Sequence, residues 1–173
     1  MAETYRFRLR APLRRSLKDW SSKYKYQSDE HAAAAGRKAR AAGYLTKAQL
    51  VTLMRWKATR IVGYGHALDH HYLRTVTEAS FASTNERFRI ESLTLLRGVQ
   101  WPMASTILHF VWPRKYPILD FRALWSLQVK VSNRYDYNLW HQYCQACRAL
   151  AKEHAMSLRD LDKALWQYSS KHQ

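Results

Sequence analysis

The chain has 173 residues, 47% of them hydrophobic, with only five Gly and four Pro, which excludes a disordered or collagen-like polymer and allows a substantial core. Twenty-nine Lys and Arg stand against 13 Asp and Glu, giving a net charge of +16 and a pI near 10.2. That excess disfavours a cationic partner and favours a polyanion, because each neutralised phosphate releases condensed counterions.

Residues 1–28 read as a basic N-terminal extension, and its "YRFRLR" is the one alternating, strand-like pattern. The Arg content also suits a transit peptide, against which Glu3, Asp19 and the aromatic residues weigh. Residues 29–173 are expected to form a single all-α domain. "SDEHAAAAGRKARAAG" opens on a Ser/Asp cap signal and stops at Gly43. "TKAQLVTLMRWKATRIV" follows, capped by Thr46, with Leu50, Leu53, Met54 and Ile61 at helical spacing. "GYGHA" breaks the pattern, and "LDHHYLRTVTEASFA" and "NERFRIESLTLL" are two further amphipathic stretches. A turn at Gly98, the helix "PMASTILHFV" and a Pro-bounded connection come next, before Asp120 opens "DFRALWSLQV". "YNLWHQYCQACRALAKEHA" and "SLRDLDKALWQYSSKH" close the chain as helices.

No apolar run is long enough to span a bilayer, and no signal-peptide core is visible, so a cytoplasmic location is expected, nucleoid-associated if the chain is bacterial. Cys144 and Cys147 form a C-x-x-C inside a helix, whereas a redox pair belongs at a helix N-terminus and zinc needs two more ligands. Packed, inert thiols are expected. His66, His70 and His71 lie on a polar stretch and are expected to be solvated rather than to bind metal. Seven Trp and eleven Tyr lie among the cations, as in "SSKYKYQ", "MRWKATR" and "VWPRKY". Interleaved rings and cations suit a surface that grips phosphates and stacks on bases. A ribosomal or membrane-surface protein would carry similar charge.

Within "LLRGVQWPMASTILHFVWPRKYPILDFRALW", Gly98 can supply the positive φ of a tight reversal between two helices. The amides of that turn and of the next helix's first turn would then point outward as an anion site. Pro102 suits the first turn, where no amide hydrogen is required. Asp120 is a lone acid in apolar company. It is read either as a catalytic carboxylate or as the N-cap of the helix that follows.

"LRGVQWPMASTIL" resembles the helix-hairpin-helix motif of the endonuclease III superfamily of DNA glycosylases, in which Leu-Pro-Gly-Val-Gly precedes an Ala-containing helix. In that superfamily a Gly/Pro-rich connection and a catalytic Asp follow the hairpin. Gly98 and Asp120 are twenty-two residues apart (120 − 98), a spacing similar to the superfamily's, and "YPILDFRALW" resembles its Val-Asp-Thr-His segment. The similarity covers residues 93–127, with a fainter echo over "LVTLMRWKAT" and the last helix. It implies a compact, trimmed helix-hairpin-helix domain in which Asp120 is catalytic and Arg97, Gly98, Val99, Gln100, Trp101 and Ser105 meet DNA. Lys57, with Trp56 beside it, falls where the superfamily enters DNA at a lesion, and Arg55 and Arg60 are candidates to bind the flanking phosphates. Tyr64, Trp112 and Tyr116 are weaker candidates for a base pocket, each read at least as readily as a ring packed in the core.

The departures are also informative. Arg97 stands for the usual Pro and Gln100 for the second Gly. Pro102 occupies the position of the Schiff-base Lys, and its nitrogen cannot attack a sugar carbon. Two cysteines cannot hold a four-cysteine iron–sulfur cluster. The resemblance therefore implies a monofunctional, monomeric glycosylase acting on double-stranded DNA that contains a modified base, with no cofactor and at most a monovalent cation at the hairpin. Repair and defence against phage DNA with modified cytosines both fit, and no motif reveals the base. A non-catalytic helix-hairpin-helix DNA-binding protein and an RNA- or ribosome-associated protein remain the alternatives.

Overall fold

The computed structural model describes residues 3–130 and 134–173; the first two residues of the expected extension lie outside them. Among the described residues there is no strand. The helices are α1 (Ala11–Arg15), α2 (Leu17–Ser22), α3 (Glu30–Ala42), α4 (Lys47–Lys57), α5 (Val62–Ala67), α6 (His70–Ala82), α7 (Glu86–Leu93), α8 (Trp101–Val111), α9 (Phe121–Ser126), α10 (Tyr137–Glu153) and α11 (Leu158–His172), with a 3-10 turn at Thr59–Ile61. No helix among them is long and apolar enough to cross a membrane. The chain forms two compact units, one from Met1–Tyr26 with Pro113–Gln173 and the other from Gln27–Trp112.

The first unit takes in the segment expected as an extension. Leu13 and Leu17 are buried, and α1 and α2 pack on α11. The "YRFRLR" run is extended but pairs with no strand. Its Arg8 and Arg10 amides donate to the carbonyls of Leu127 and Ser126, at 2.9 and 3.3 Å. Helices of five and six residues are too short to show a period, which is why the sequence pattern hides them. Leu124, Leu139, Trp140, Tyr143, Leu161 and Leu165 fill the core of this unit. Asp136 starts α10 by accepting from the Leu139 amide at 2.8 Å, and Ser157 starts α11 by accepting from the Asp160 amide at 3.0 Å.

In the second unit, Gly43 ends α3 at φ 81°, as its position implied. The start of α3 differs from expectation. Ser28 accepts from the Glu30 amide at 3.2 Å, while the Asp29 carboxylate accepts from the Trp56 indole at 3.2 Å. Thr46 and Gln49 form a capping box at the head of α4. That helix stops at Lys57, short of the expected Val62, because Ala58 is extended at φ −164°. "GYGHA" is no break: it lies in α5. A Cβ on Gly65 would sit 2.8 Å from Met54 Sδ, so this glycine serves close packing of α5 on α4 rather than chain reversal.

The tightest approach in this unit is between α3 and α8. A Cβ on Gly36 would lie 2.1 Å from the carbonyl oxygen of Phe110, so a side chain there would strike backbone. Every residue of α8 from Met103 to Val111 is buried, which makes α8 the axis of the unit. Gly36→Ala is therefore expected to destabilise the protein by about 2 kcal/mol or more, although Ala gains about 1 kcal/mol over Gly within a helix. Urea unfolding checks this; an unchanged or raised midpoint would contradict the packing.

Cys144 and Cys147 are free and buried on α10, matching the expected packed thiols. Burial pushes the Cys147 thiol up to about 12, against a smaller lowering by the hydrogen bond with Tyr143. Since the thiolate is the nucleophile, native protein at pH 8 is expected to leave Cys147 unalkylated by iodoacetamide, and urea-unfolded protein to label fully. Because this pKa is raised on folding, its stabilisation is complete below about pH 9 and is lost as pH rises towards 12. Rapid native labelling read by mass spectrometry would overturn the burial.

Candidate functional site

The α7–α8 connection is a tight reversal built on apolar anchors. After Leu93 the chain winds through short bonds, with the Thr94, Leu95 and Leu96 amides donating to Glu91, Ser92 and Leu93 at 3.0, 3.1 and 3.2 Å. The Val99 amide then donates to the Leu96 carbonyl at 2.9 Å, closing a turn whose third residue, Gly98, has φ 86°. Leu93, Leu96 and Val99 are buried beneath it, and Arg97 and Gln100 are exposed. Among the described residues, the amides of Gly98, Gln100 and Trp101 have no acceptor. Pro102 sits in the first turn of α8, where it has no amide hydrogen to leave unpaired.

Two sequence expectations for this loop are corrected. Val99 offers neither side chain nor amide outward, since the one is buried and the other closes the turn. Ser105 is wholly buried, and its hydroxyl donates to the Pro102 carbonyl at 2.8 Å; it faces the core because it lies one turn into a helix buried along its length. By contrast, Tyr64 on α5 joins the turn. Its ring lies so close to Gly98 that a Cβ there would be 2.8 Å from it, and the Arg97 guanidinium sits 5.0 Å from its centroid. Tyr64 is 41% exposed, so one edge is braced and the rest is open.

On α4, Arg55 is exposed and Trp56 is half-buried. Trp56 is fixed three ways: its indole donates to Asp29, its carbonyl accepts from the Gln27 amide at 2.6 Å, and its ring meets Phe110 edge-on at 4.8 Å. A side chain so held is a wall rather than a mobile wedge. It and Arg55 line a cavity of about 620 Å³ on the α3 and α4 surface, with His31, Lys38, Gln49 and Thr52. The sequence reading missed those four. Helical spacing would have found His31, Lys38 and Thr52, since 31, 35 and 38 share a face of α3, as 48, 52 and 55 share one of α4. Lys57 is half-buried and Arg60 is exposed on the 3-10 turn.

The other two base-pocket candidates are packing residues. Tyr116 is fully buried, stacked at 5.7 Å on Trp140. Trp112 is half-buried, edge-on to Phe81 at 5.2 Å with Arg89 over its ring at 5.1 Å. At both sites rings pack on rings, which is favourable beyond the area buried. His66, His70 and His71 are exposed, and among the described residues no cluster of three His, Cys, Asp or Glu could hold a metal ion.

Asp120, in the first unit, is half-buried at the head of α9. Its Oδ1 accepts from the Arg122 amide at 2.9 Å. Ile118 and Leu119 just before it are buried, and the Tyr143 hydroxyl donates to the Ile118 carbonyl at 2.8 Å. This clamp fixes where the carboxylate emerges. The Tyr135 hydroxyl, half-buried nearby, has its pKa raised by burial first and by the Asp120 charge second. Nothing in "NRYDYN" signalled that Tyr135 would approach Asp120. No family model, curated protein or solved structure matches the chain.

Asp120→Ala is expected to cost about 1 kcal/mol through the lost cap. Asp120→Asn keeps an oxygen for the Arg122 amide and is expected to melt close to wild type. If both variants melted alike, the capping geometry would be wrong.

Proposed function

We propose that the chain binds double-stranded DNA through the α7–α8 turn and hydrolytically excises a modified base, with Asp120 as the catalytic carboxylate. The observation that carries this reading is the turn itself. Gly98 has φ 86°, and among the described residues the amides of Gly98, Gln100 and Trp101 have no acceptor, beside the exposed Arg97. Unpaired amides ahead of a helix N-terminus attract phosphate oxygens, and an arginine adds charge. The +16 charge of the chain supports a polyanionic partner.

The chemistry asked of Asp120 is modest. As an N-glycosidic bond breaks, positive charge grows on the deoxyribose, and a fixed carboxylate stabilises it while orienting the attacking water. The target nucleotide must first leave the stack, for which Tyr64 is an exposed ring beside the turn. With Pro102 in place of a Lys, no covalent imine forms at that position, so hydrolysis without strand cleavage is the expected outcome.

A second reading, a DNA-binding module without catalysis, is favoured by one fact: capping α9 already accounts for an acid at position 120. Duplexes carrying single modified bases separate the two. They are incubated with protein, treated with alkali and examined for strand breaks. Wild type is expected to give breaks at one class of modified base, and Asp120→Asn about a hundredfold fewer. Equal breaks from both would remove Asp120 from the mechanism. Salt-sensitive duplex binding with no base release from any substrate would select the binding module.

A further inference from the structure

The first unit carries a row of aromatic rings that its core does not use. Tyr26 is 67% exposed and Phe121 is 55% exposed. Tyr26 lies 4.9 Å from Trp166, tilted by 37°, and Tyr24 meets the same indole edge-on at 5.5 Å. Arg122 links Trp166 to Phe121, its guanidinium 5.3 Å from the Trp166 ring and 5.2 Å from the Phe121 ring. Around Tyr24 stand Arg159 and Lys163, 5.0 and 6.0 Å from its ring. The row ends on the residue next to Asp120.

Large rings left this exposed, with cations between them, are poorly matched to an apolar protein surface, which would have to desolvate the charges. They match a chain that carries flat rings and regularly spaced anions. In a duplex the base faces are already occupied by their neighbours, so these rings can stack only on unpaired bases. We infer that Tyr24, Tyr26, Trp166, Arg122 and Phe121 form a platform for single-stranded DNA. The inference rests on the reading of the chain as a DNA enzyme, whose reaction needs a nucleotide out of the stack. Bases stack on Tyr26, Trp166 and Phe121 while Arg122 and Lys163 meet the phosphates, and the strand runs past the carboxylate of Asp120.

The test uses the full chain with a fluorescent oligo-dT of about 12 nucleotides and a duplex of equal length, near the site size of a small single-strand binder. Tyr26→Ala/Phe121→Ala removes two exposed rings and no charge. Its affinity for oligo-dT is expected to fall about tenfold or more, with duplex affinity unchanged. Wild-type tryptophan emission is expected to quench on oligo-dT, and Trp166→Phe to lose part of that quench. Unchanged oligo-dT affinity in the double variant would overturn the platform. So would tighter binding of oligo-U through the same rings, or a loss confined to phosphatidylserine vesicles. The two proposals can fail separately. Oligo-dT binding that depends on Tyr26 and Phe121, with no base release from any duplex, sinks only the glycosylase. Base release with oligo-dT affinity indifferent to the rings sinks only the platform.

Discussion

The turn between α7 and α8 depends on positive φ at its third residue, and Gly98 supplies it. Its φ of 86° is paired with close contact from the Tyr64 ring, so a side chain there would meet both backbone strain and a steric clash. Beneath the turn, Leu93, Leu96 and Val99 are fully or almost fully buried, and α8 is buried from Met103 to Val111. The apolar anchors hold the peptide groups in place, and the glycine lets them point out. At the other side of α8, Gly36 allows α3 to touch its backbone. The reversal is thus tied to the core of its unit, not appended to it.

The charge imbalance shapes the surface in a second way. With 29 cationic side chains and 13 acidic ones, many cations settle on aromatic faces. Arg10 lies 3.8 Å from the Trp125 ring, Arg74 lies 4.3 Å from Tyr44 and Lys23 lies 4.8 Å from Trp20. Such contacts contribute about 0.5–1 kcal/mol each when exposed. They keep arginine and lysine ordered while leaving their charge available. A surface of this kind can exchange a ring for an anion at little cost.

Much of the architecture was legible in the sequence. Long helices announced themselves, α4 through its Thr46 cap and its period and α6 through its amphipathic pattern. Gly43 and Gly98 were legible because positive φ has few other solutions. The misses have physical causes. Gly65 looked like a breaker but serves close packing on Met54, and glycine in a helix reads the same way for both purposes. The basic N-terminal segment looked like an extension because short helices such as α1 and α2 have no period. For the candidate site, Asp120 at a helix head and Gly98 in its turn were found. Tyr116 and Ser105 were misplaced because burial depends on tertiary packing, which local pattern does not encode. Tyr135 and the His31–Lys38 face of the cavity were missed, the first for lack of any local signal.

The central claim is that the Gly98 turn receives a DNA phosphate on its backbone amides. Amide chemical shifts of labelled protein, followed as duplex DNA is added, test this most directly. The account requires the largest shifts at Gly98, Gln100 and Trp101, reversed by raised salt. Shifts confined to other surfaces, with these three amides unmoved at saturating DNA, would contradict it.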